Sequence, residues 1–138
     1  MSLLIASALV LGITPPSDLA PSIVVATPIQ VRATQETTPT LNLGVVYSVK
    51  FRVDRVFRGS SRKNISAKVI AGGQQFFKDA KFILVVADSG EVKSVTKAWK
   101  MFCLHPNQLS DLNLGGVFRS SDHLTVDDQN LSCIRVDQ

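Results

Sequence analysis

From residue 45 to 54, apolar side chains at Val45, Tyr47, Val49, Phe51 and Val53 alternate with Ser48, Lys50, Arg52 and Asp54. A period of two is that of a half-buried β-strand, not of a helix. The phase then slips: Val53 and Val56 are three apart, and Arg55 falls where an apolar residue is due. The pattern predicts one extra residue at Asp54-Arg55, a β-bulge that bends the strand and increases its twist. Gly59, followed by Ser60 and Ser61, ends the element. A long strand that changes its buried face midway can serve two sheets, as a small closed or half-closed barrel requires.

The remaining pattern fits around that strand. Residues 22–33 (SIVVATPIQVRA) read as a strand interrupted at Pro28, which lacks the N–H of a central ladder and places that point at an edge or a bulge. Residues 34–42 are polar and threonine-rich, so the first two strands form an antiparallel pair with a long connection. Residues 64–71 alternate weakly as a third strand, closed by Gly72 and Gly73. After a connection carrying Phe76 and Phe77, residues 81–87 (KFILVVA) form a continuous apolar run, the mark of the most buried strand. Asp88, Ser89 and Gly90 make a hairpin turn, and residues 91–95 return as its partner. Residues 99–104 (WKMFCL) continue into a further strand. His105-Pro106 opens a short helix that stops by Gly115-Gly116. Residues 117–121 and 123–126 read as short extended pieces, and 131–136 as a last strand.

Ahead of these elements, residues 3–13 (LLIASALVLGI) are an uncharged apolar run of eleven. A membrane-spanning helix needs about twenty residues, so no transmembrane span is expected. The length is that of a signal-peptide core, yet no basic residue precedes Arg32. Residues 1–20 are therefore either the remnant of an export signal or a first element of the fold, and 21–138 are a single domain. At 138 residues with 45% apolar and 19% charged composition, the chain can bury a core without metal or many disulfides.

The net charge of +4 is unevenly placed. Lys50, Arg52, Arg55, Arg58, Arg62, Lys63 and Lys68 face only Asp54 within their stretch, whereas Asp111, Asp122, Asp127, Asp128 and Asp137 make the C-terminal part acidic. Such a patch is most simply a solvated surface; it also suits nucleic acid, anionic lipid or an acidic partner. Lys50, Arg52 and Arg58, with Arg62 and Lys63 at the strand's end, form the candidate binding surface. Tyr47, Phe51 and Phe57 have the phase of the opposite, core-facing side, so base-stacking platforms are missing beside these cations.

Other chemistry finds less support. Cys103 and Cys133 suit one disulfide in an oxidising compartment, and two buried thiols suit a cytosolic protein equally well. Their spacing with His105 and His123 matches no finger or ribbon pattern, so neither a metal nor another cofactor is expected. Ser120, Ser121, Asp122 and His123 hold all three residue types of a hydrolytic triad, but neighbours on an extended segment point apart. No G-x-S-x-G elbow occurs, and Gly72-Gly73 lacks the lysine and hydroxyl of a phosphate-binding loop. The chain is read as non-enzymatic.

The runs SIVVATPIQV, VYSVKFRVDRVFRG, ISAKVIA and FFKDAKFILVVAD, across residues 22–104, resemble the OB-fold proteins of the netrin-like and tissue-inhibitor-of-metalloproteinases type, especially their simple bacterial relatives. Asp79 and Ala80 stand where those sequences usually carry glycine, and Phe82 replaces a tyrosine. The resemblance implies a mainly β, OB-like five-stranded Greek-key barrel with a short helix and a C-terminal extension, and a periplasmic or secreted address. No cysteine precedes Cys103, so the zinc-directed inhibition of the animal members does not carry over. The expected function is a binding module acting through protein–protein contact, its partner unspecified. The alternative is a single-stranded nucleic-acid binder using residues 50–68.

Overall fold

The computed structural model describes residues 20–36 and 44–137. The apolar run 3–13 lies outside them. The described chain is mainly β: β1 (Ser22–Ala33), β2 (Val45–Arg58), β3 (Asn64–Ala71), β4 (Lys81–Val86), β5 (Val92–Ala98), β6 (Met101–Leu104), helix α1 (Pro106–Asp111), β7 (His123–Val126) and β8 (Gln129–Arg135). The first five strands make one antiparallel sheet in the order β3-β2-β1-β4-β5, and the last three a second sheet, β6-β8-β7. The outer strands of the larger sheet, β3 and β5, line the two sides of one groove. Residues 117–121, read as extended, instead form a turn that leads into a 3-10 turn at Ser120–Asp122. There the Asp122 carboxylate accepts from the Arg119 N–H, a side-chain bond that competes with extended backbone.

The bulge predicted on β2 lies at Asp54. Opposite β1, Val53 pairs with Ala26 and Arg55 with Val25, leaving Asp54 without a cross-strand partner. A second irregularity leaves out Phe57. These shifts divide β2 between two cores. Tyr47, Val49, Phe51 and Val53 join the cluster on one face of the sheet, whereas Phe57 joins the cluster on the other. Pro28 is accommodated by both routes open to it. Pairing of β1 with β4 ends at Ala26, and Ile29 is bulged out of the ladder with β2.

β4 is buried on both faces, as its unbroken apolar run predicts: Phe82 and Leu84 point into the first cluster, Ile83 and Val85 into the second. β1 does the same with Val24 and Ala26 against Ile23 and Val25. The second cluster is completed by Ala98, Leu104, Leu114, Ile134 and Val136, so the smaller sheet and the α1 region cover the outer face of β1 and β4. Cys103 lies directly opposite Cys133 and is bonded to it, with a Cα separation of 4.1 Å. That is the close spacing of a non-hydrogen-bonded antiparallel pair. The bond ties β6 to β8.

Candidate binding surface

The basic residues of β2 are mostly engaged within the molecule. Arg52 Nε reaches Asp54 Oδ1 at 3.0 Å, and Lys81 Nζ reaches Asp54 Oδ2 at 2.7 Å. The Thr27 hydroxyl also donates to Asp54, and Lys81 donates to Thr27. Partial burial pushes the Asp54 carboxyl up, but hydrogen bonds from Lys81, Thr27 and Arg52 together with the Lys81 charge outweigh it, and its pKa lies below the ordinary value. A bulged residue is free of the ladder, so its side chain can collect these donors.

Arg58 turns toward the smaller sheet, where its guanidinium meets Asp122 at 2.7 Å and lies 4.2 Å over the Phe57 ring. Arg55 donates to the Arg135 carbonyl, and Lys68 pairs with Glu36. Of the five candidate cations, Lys50, Arg62 and Lys63 are exposed and make no ion pair among the described residues. Lys50 sits within β2, whereas Arg62 and Lys63 belong to the turn after it. Arg52 and Arg58 are held by carboxylates. Tyr47 and Phe51 are buried in the first cluster and Phe57 packs on the second with Arg58 over its ring, so among the described residues no ring lies over Lys50, Arg52, Arg62 or Lys63.

Exposed rings occur elsewhere. A chain of aromatic contacts leads out of the first core: Phe51 to Phe82 at 5.5 Å, Phe82 to Phe77 at 5.9 Å, and Phe76 to both Phe77 and Phe82 at 5.2 and 5.7 Å. Phe76 is 37% exposed and Trp99, just past β5, is 64% exposed. Between them lies Lys97, its Nζ 4.8 Å from the Phe76 centroid and 4.9 Å from that of Trp99. An ammonium at that distance from two ring faces is attracted by both quadrupoles. Sequence reasoning placed Trp99 inside an apolar strand and missed this group. The available signal was a lone tryptophan flanked by Lys97 and Lys100, at odds with a buried position.

The C-terminal residues with catalytic or ligating chemistry face separate partners. Asp122 is taken by Arg58 and the Arg119 N–H, and His123 Nδ1 lies 3.2 Å from Ser132 Oγ. Ser132 is 2% exposed, too enclosed to reach a substrate as a nucleophile. With both cysteines in the disulfide, no group of metal-ligating side chains forms among the described residues. No helix among them is long and apolar enough to cross a membrane. No protein-family model matches the chain, and no curated protein or solved structure matches it either.

Proposed function

We propose that the chain is a non-enzymatic binding module of OB-barrel type, a simple netrin-like relative, that works outside the cytoplasm through protein–protein contact. The observation that carries this reading is Trp99, 64% exposed and joined through the Lys97 ammonium to Phe76, whose ring is rooted in the core. A large, exposed aromatic ring is the kind of residue that dominates protein interfaces. The strand order β3-β2-β1-β4-β5, with β3 and β5 across a common groove, supports the barrel assignment. The bonded cysteines support an oxidising compartment.

Nucleic-acid binding through residues 50–68 has less behind it, since Arg52, Arg58 and Lys68 are neutralised by Asp54, Asp122 and Glu36. Crosslinked capture from the native host, with wild type and Trp99→Ala side by side, tests the two. The expected result is a protein that survives nuclease treatment and is lost with Trp99→Ala. Recovery of nucleic acid in its place, released steeply by salt, would replace the protein-contact reading.

A further inference from the structure

Lys97 is held in place before any partner arrives. Its ammonium lies between two rings, and no carboxylate pairs with it among the described residues. Lys78, two residues from Phe76, and Lys100, next to Trp99, are exposed and likewise without an ion pair among the described residues. Positive charge without a carboxylate partner among the described residues thus lies at Lys97 and Lys100 beside Trp99 and at Lys78 beside Phe76, against Asp79 alone in those stretches. A positive patch selects a negative partner.

We infer that the Phe76-Lys97-Trp99 surface docks an acidic segment of a partner protein, a carboxylate meeting the Lys97 ammonium while an apolar side chain covers the Trp99 ring. The inference rests on the protein-contact reading and supplies the partner's chemistry. A polynucleotide fits less well, because Lys97 occupies the space between the two rings and leaves Trp99 as a single stacking face. Single-stranded binders instead use successive open stacking faces. The two ring contacts restrict the lysine's long side chain, which lowers the entropy lost when a carboxylate arrives.

The chain's sole tryptophan makes the test direct. Full-length protein is titrated with a short dye-labelled peptide alternating glutamate and leucine, its lysine–leucine counterpart, and an oligothymidylate, following Trp99 emission and dye anisotropy. The glutamate peptide should bind and shift Trp99 emission to shorter wavelength. Lys97→Gln and Trp99→Ala should each weaken it about tenfold or more, as interface anchors do. Equal binding of the lysine peptide, tighter binding of the oligothymidylate, or no binding of the glutamate peptide would each overturn the acidic-partner inference. If the glutamate peptide fails while Trp99→Ala still abolishes capture of a host protein, protein contact stands and only the partner's assigned charge falls. Trp99 is exposed and Lys97 half-buried, and coincident thermal unfolding with wild type confirms that the variants are folded.

Discussion

Asp54 is the residue on which two adjustments of β2 converge. It has no ladder partner, and its carboxylate gathers Lys81, Arg52 and Thr27. Folding lowers its pKa, so the native state binds this proton less readily than the unfolded chain does. The stabilisation is fully present above the unfolded value, about pH 4, and is lost as pH falls through the lower folded value. Asp54→Asn should therefore cost about 1 kcal/mol at neutral pH, a modest figure because Lys81 and Arg52 are partly exposed and screened. Urea unfolding at pH 7 and pH 3 checks this: the variant should lose less stability on acidification than wild type. Gly59 is constrained for a different reason. Its φ is +91°, and a Cβ there would fall 2.2 Å from Ser22 Oγ. Gly59→Ala should destabilise by about 2 kcal/mol, read as a lowered denaturant midpoint.

Strand β6 is only four residues long and, among the described residues, pairs with β8 alone. Its covalent tie spans a sequence separation of 30 residues, for which chain entropy gives about 3.6 kcal/mol. Replacing Cys103 and Cys133 together by serine should lower unfolding free energy by about that amount. Denaturant titration of the double variant measures it, and reductant should then leave the variant's midpoint unchanged. Much of the element map was legible in sequence. The bulge at Asp54-Arg55, the doubly buried β4, the turn at Asp88-Gly90 and the helix opening after His105 all follow from local period and breaker residues. The segment 117–121 did not, because its conformation depends on Asp122, whose carboxylate serves both the local turn and a distant arginine.

Two cores share two strands in the whole molecule. Phe82 and Ile83 are neighbours in sequence, almost fully buried, and belong to opposite layers. Phe82→Ala should cost about 3–5 kcal/mol and Ile83→Ala about 2–5 kcal/mol. Because β1 and β4 contribute to both layers, either substitution should shift a single transition and not split it. Trp99 fluorescence and far-ultraviolet circular dichroism, followed through the same denaturant series, should then give coincident curves. Separate transitions would mean that the smaller sheet unfolds independently of the larger.

Hydrophobic period and turn chemistry are local quantities. They suffice to place strands, to mark where β2 changes face, and to identify β4 as central, since a run apolar on both sides must be covered on both. Charge is not local in this way. The basic stretch 50–68 reads as an open surface until the fold brings Asp122 to Arg58 across 64 positions and Glu36 to Lys68 across 32. The reverse holds at Trp99, which hydropathy assigns to the interior. In the fold it stands 64% exposed just past β5, with Lys97 between its ring and Phe76, and is the strongest candidate for contact with a partner.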